Sequence, residues 1–239
     1  MKKALTFVAI AVLGGSASAI DLYSQLPHTP GASGADGLSA FQGDLGSGMI
    51  DRDVADDFSV TGLGWNVNQV RSSWVQFTNG DATPITNVTV EFYEATTTVG
   101  ALVQAATGVT WGVSDGPGTY FGRTEKILTV DFDQVTLNPG DYFVHIQPVV
   151  DHNWFWLTSD PTTPVQGLVS HFRRGPNTGA GVDTAWPSDW TPTPGNGIFS
   201  GAHDVNFVVA GQPVPEPASM IALGLGAAAL AARRRRKKV

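Results

Sequence analysis

Cysteine is missing altogether from the 239 residues, which excludes thiol nucleophiles, Cys-ligated zinc and disulfides. Positive charge is scarce everywhere but the two ends. Eight of the 14 basic residues lie at positions 2, 3 and 233–238, so the stretch between them keeps six against all 21 acidic residues, a formal −15. A domain so charged repels nucleic acid and anionic lipid headgroups. Two readings remain: attraction of hard cations such as calcium, or solubility through self-repulsion. Glutamate is rare, with only Glu91, Glu94 and Glu125 before the last 25 residues. Also absent are a Gly-x-Ser-x-Gly elbow, a His-Glu-x-x-His pair and a phosphate-binding glycine loop. His28, His145, His152, His171 and His203 show neither the i, i+4 nor the His-x-His spacing of a zinc site. A glycosidase needs two facing carboxylates, and no pair stands out. The sequence therefore reads as non-catalytic.

What is present at the ends is sorting chemistry. Lys2 and Lys3 precede the apolar run Ala4 to Leu13, and Ala17-Ser18-Ala19 supplies the small-x-small site of a signal peptidase, so residues 1–19 read as a signal peptide. At the other end, Pro213-Val214-Pro215-Glu216-Pro217 is stiff and extended, because proline locks φ and restricts the residue before it. An uncharged stretch follows from Ala218 to Ala232. As a helix it reaches only about 22 Å, short of a hydrocarbon core of about 30 Å. Arg233, Arg234, Arg235, Arg236, Lys237 and Lys238 then form a basic block that the positive-inside rule keeps cytoplasmic. The expected topology is domain outside, tail inside.

These three parts, in this order, resemble the PEP-CTERM sorting signal of bacterial proteins processed by exosortase. The resemblance implies that Pro215, Glu216 and Pro217 are recognition residues. It also implies that the tail is removed near them in the membrane, often in species that make exopolysaccharide. The partners implied are signal peptidase, an exosortase-type enzyme and, before processing, the membrane.

Between the ends, period-two alternation predicts strands. Val88, Val90 and Phe92 alternate with Thr89, Glu91 and Tyr93; the pattern recurs at Leu128–Asp133, Tyr142–Gln147 and Val205–Val209. Asn79-Gly80-Asp81, Asp115-Gly116-Pro117-Gly118, Asn138-Pro139-Gly140-Asp141 and Pro194-Gly195-Asn196-Gly197 read as turns. Many short strands without intervening helices point to an all-β, antiparallel β-sandwich or jelly-roll-like domain over 51–212. It would follow a Gly-rich, loop-like lead-in at 20–50 and precede the sorting signal at 213–239, with its short transmembrane helix. Ala55-Asp56-Asp57-Phe58, Leu137-Asn138-Pro139-Gly140-Asp141-Tyr142, Trp154-Phe155-Trp156 and the closing strand Asp204–Gly211 are similar to the β-sandwich modules of PEP-CTERM precursors. That likeness implies fold and no activity.

Two clusters carry candidate chemistry. Asp51, Asp53, Asp56 and Asp57 offer oxygens to calcium, but the segment lacks the EF-hand glycine and final glutamate, and Arg52 competes for the carboxylates. Solvated strand-start residues are the simpler reading. Of seven tryptophans, Trp154 and Trp156 share one side of a strand, while Trp186 and Trp190 flank a Pro-rich segment. Exposed indoles stack on sugar rings; buried ones fill a core. The sequence thus suggests an exported, non-catalytic surface or extracellular-matrix protein without cofactor. The alternatives are a carbohydrate-binding module, calcium-assisted, that contacts extracellular polysaccharide, and a secreted polysaccharide hydrolase.

Overall fold

Alternation of apolar and polar side chains does produce strands. The computed structural model describes residues 19–26, 37–44, 48–76, 84–151, 153–158, 167–179, 186–193, 204–216 and 224–226. The signal peptide before Ala19, Pro217, the apolar stretch apart from Gly224–Gly226, and the basic block lie outside the described residues. Among the described residues no helix is long and apolar enough to cross a membrane.

The strands are β1 (Ile20–Ser24), β2 (Gly37–Ser39), β3 (Gln42–Asp44), β4 (Met49–Val60) and β5 (Trp65–Gln76). Next come β6 (Asn87–Ala95), β7 (Val99–Ala105), β8 (Thr110–Tyr120), β9 (Arg123–Leu137) and β10 (Gly140–Val149). Last are β11 (Trp154–Leu157), β12 (His171–Arg174), β13 (Thr191–Pro192) and β14 (Phe207–Pro213). They form two sheets. In the first, β5 lies between β9 on one side and β14 with β11 on the other; β8 flanks β9, β1 flanks β14 and β2 flanks β11. The second runs from β13 through β12, β4, β10 and β6 to β7, with β3 beside the start of β4.

The inner faces meet in one core, as in a β-sandwich. Phe58 of the second sheet touches Trp65 and Phe207 of the first, with ring centroids 6.1 and 6.2 Å away, and Phe92 meets Phe132 at 6.1 Å. Trp154 and Trp156 are core residues: both are fully buried, and Trp156 stacks on Trp74 at 5.2 Å. The expected alternation on β6, β9 and β10 holds, with Val90, Val130 and Val144 all inward and fully buried.

Two expectations are corrected. The lead-in is not merely loop: β1, β2 and β3 come from it and join both sheets. Asp115–Gly118 is not a turn but a bulge inside β8, where the register against β9 shifts between Asp115 and Thr119. Its irregular backbone is satisfied by the buried Glu125, whose Oε2 accepts the Gly118 N–H at 2.9 Å. The hairpin turn comes later, at Phe121-Gly122, between the paired Tyr120 and Arg123. There Phe121 has φ 54° and is half exposed. A two-residue loop of this kind wants Asn or Gly at its first position, since a left-handed bulky residue costs about 1–2 kcal/mol. Phe121→Asn is expected to stabilise the domain by about 1 kcal/mol, a rise of roughly 2–4 °C in a thermal melt.

Candidate functional site

The aspartates of β4 define the most unusual surface. A strand sends alternate residues to opposite faces, so Asp51, Asp53 and Asp57 leave the outer side of the second sheet while Asp56 points into the sandwich with Val54 and Phe58. All four are buried, none more than 5% exposed. They are therefore not solvated strand-start residues, and Asp56 faces away from the other three. Among the described residues no group of three or more His, Asp or Glu side chains is placed to hold a metal ion.

Burial arises because irregular chain lies over the outer face. Leu168 and Trp190 pack there against Ala55, Tyr93, Val99 and Phe143. Loop backbone needs acceptors once water is excluded, and the aspartates supply them. Asp57 Oδ1 accepts the Leu168 N–H at 2.9 Å, Asp51 Oδ2 accepts that of Asn177 at 2.9 Å, and Asp56 Oδ2 accepts that of Val205 at 2.6 Å. Gln147 of β10 donates to Asp51 Oδ1 at 2.7 Å and to Asp53 Oδ1 at 2.9 Å.

The same face carries a charge network. Arg173 Nε donates to Asp53 Oδ2 at 2.7 Å, and its guanidinium lies 4.4 Å from the Trp190 ring centroid. His145 Nδ1 is 3.1 Å from Glu91 Oε2, which also accepts the Tyr93 hydroxyl at 2.6 Å; Nε2 lies 3.5 Å from Asp53 Oδ1. The His145 hydrogen bond holds Glu91 down at about 2, against the opposing effect of burial. Burial alone would pull His145 down, but Asp53 and Glu91 outweigh it and raise the imidazole. Burial lifts Asp53 despite His145 and Arg173. Burial, then repulsion from Asp204 and Asp57, lifts Asp56 well above the carboxylate range. Asp57 is pushed up to about 7, again chiefly by burial. His145, Glu91 and Arg173 were not singled out as a set from sequence. Their signal is only that each takes an outward position on a neighbouring strand.

The other tryptophan pair divides. Trp186 is buried, edge-on to Phe172 at 5.1 Å and beneath the Arg52 guanidinium, also at 5.1 Å. With Trp154 and Trp156 it has no free indole face for a sugar ring. Trp190 is half-buried over Arg173.

A second feature is the chain's exit. β14 is flanked on both sides, by β1 and β5, and its pairing with β5 runs to Pro213 opposite Trp65. Val214 then donates its N–H to the Gly64 carbonyl at 2.9 Å. Gly64 must be glycine: its φ is 109°, and a Cβ would stand 2.4 Å from the Leu137 carbonyl oxygen. Pro213 and Pro215 have no N–H to give, so the ladder stops, and Pro215 and Glu216 stand exposed. Ile20 lies opposite Gly211 in the antiparallel β1–β14 pair, so the chain enters and leaves at one end of the sheet.

A family model described as PEP-CTERM protein-sorting motif matches residues 213–236. No curated protein and no solved structure matches the chain.

Proposed function

We propose that this chain, which carries a PEP-CTERM protein-sorting motif at its C-terminus, is an exported protein. Its β-sandwich is the cargo, a non-catalytic surface or matrix component. The observation that carries this reading is the exit geometry: the ladder ends at Val214, and the Pro215-Glu216 of the motif stands exposed directly beyond it. A processing enzyme of the exosortase type can then reach the motif without unfolding β14. In this reading the signal peptide of residues 1–19 starts export, and the segment after Pro217 holds the precursor in the membrane until cleavage.

The non-catalytic part is supported by how the acid–base groups are used. His145 Nδ1 is engaged by Glu91 and Arg173 Nε by Asp53, while Tyr93 and Gln147 donate to the same two carboxylates. Asp51, Asp56 and Asp57 hold loop backbone. Matrix proteins need stable, soluble surfaces, and a formal −15 outside the two ends provides the solubility. Intact-mass measurement of the protein recovered from cells and medium tests the sorting step. The expected species begins near Ile20 and ends near Pro217. A mature mass that still includes residues 233–239 overturns the reading.

A further inference from the structure

Most edges of the two sheets are blunted. β13 has two residues, one of them Pro192, and β2 has three. β1 is interrupted by a register shift beside Asp21, which is ion-paired to Arg71. The first half of β8 is different. From Thr110 to Asp115 it pairs with β9 in unbroken register, Thr110 opposite Asp131 through Asp115 opposite Lys126. Its other side has no strand partner among the described residues. An open edge of this kind is a template for another strand unless charge, proline or a bulge protects it.

None of those protections is there. Residues 95–114 contain no charged residue and no proline, in a domain that is otherwise strongly acidic. The nearest charges are Asp131 and Asp133 on β9 and the Asp115–Lys126 pair at the far end of the edge. Apolar side chains are exposed along this flank: Val113 is 43% exposed, as is Val103 on β7, and Leu102 is 50% exposed.

The segment Thr110-Trp111-Gly112-Val113-Ser114 is also self-complementary. Laid antiparallel on its own copy with Gly112 opposite Gly112, it sets Trp111 against Val113 and Thr110 against Ser114. Aromatic with β-branched and Thr with Ser are both favourable cross-strand pairs. Trp111 and Val113 sit opposite the buried Val130 and Leu128, so such pairing would extend the core across the junction. Two acidic copies repel each other over most of their surface, and this neutral edge is where they can approach. We propose that the Thr110–Ser114 edge of β8 pairs with the same edge of a second copy about a two-fold axis through Gly112. A partner of opposite charge would be drawn to the acidic faces instead.

The cysteine-free sequence makes the test clean. Directly opposed residues in an antiparallel pair stand about 4.5–5.5 Å apart at Cα, within disulfide reach. A Cβ at Gly112 meets nothing within 4 Å, so Gly112→Cys is tolerated. The full chain in detergent carrying Gly112→Cys should oxidise to a covalent dimer at least tenfold faster than Phe121→Cys, at the exposed tip of the same hairpin. Sedimentation of the unmodified chain should show a dimer that Val113→Lys weakens at least tenfold, with its melting temperature unchanged. Equal rates for the two cysteine variants, a monomer at every concentration, or a dimer indifferent to Val113→Lys would overturn the proposal. None of these outcomes depends on processing of the C-terminus.

Discussion

A chain that stops at Asn206 should not fold, whereas one that stops at Glu216 should melt where the full chain does in the same detergent. β14 is an interior strand, and losing it strips β5 of a partner along Trp65–Ser72 and leaves β1 with none. It also removes the buried Phe207, Val208 and Val209. Side chains of that size contribute about 1.5–3 kcal/mol each on burial. Their sum alone approaches a whole domain stability of about 5–15 kcal/mol. A cut after Glu216 removes nothing that the described sheets use. Circular dichroism melts of the three chains decide the matter, and a cooperative transition in the Asn206 chain would show β14 to be dispensable.

The domain should also be more stable in mild acid than at pH 8. Asp57 titrates near 7 when folded, against an ordinary carboxylate when unfolded. A raised carboxyl pKa means that the folded state holds the extra proton, so stability falls as pH rises through this window. Between pH 5 and pH 8, Asp57 alone accounts for about 2–3 kcal/mol. Asp53 and Asp56, also raised, act in the same sense. His145 adds to it, since its raised pKa gives stability that is lost as pH climbs through the folded value. His171 opposes them: burial lowers its pKa, so it disfavours folding as pH falls below the ordinary histidine range. Glu91, held near 2, sets the acid limit, because its contribution disappears as pH drops from its ordinary value toward 2. The melting temperature should therefore peak near pH 5 and fall by roughly 5–10 °C at pH 8. Asp57→Asn keeps an oxygen for the Leu168 N–H and should raise the melting temperature at pH 8 while flattening the profile. A profile that rises toward pH 8 would contradict the assignment.

The strands with clean alternation are legible in the sequence, because β6, β9 and β10 each place one apolar face on the core. β4 is not. Arg52 and Asp56 on its inner face, and Asp51, Asp53 and Asp57 on its outer one, give it the polarity of a solvated segment. Its burial depends on chain from 167–179 and 186–193 folding over it, a contact more than 100 residues distant. The same gap explains the tryptophans. Trp186 and Trp190 read alike in the sequence, and only the positions of Arg52 and Arg173 on different faces separate a core residue from a half-exposed one. The sorting motif is legible because it is linear, its match lying on the consecutive residues 213–236.

The pairing of Ile20 with Gly211 makes completion of the first sheet depend on both ends of the domain. On the proposed export route, led by the N-terminus, β1 would reach the far side of the membrane first and wait for β14, the last strand to arrive. Closing so long a loop is slow by nature, since its entropy is spent before its contacts form. The sheet would then be completed only once nearly all of the domain has crossed. On that route Pro215 and Glu216 would be next in line, so an enzyme cutting at the motif would meet a domain whose final strand has already been handed over.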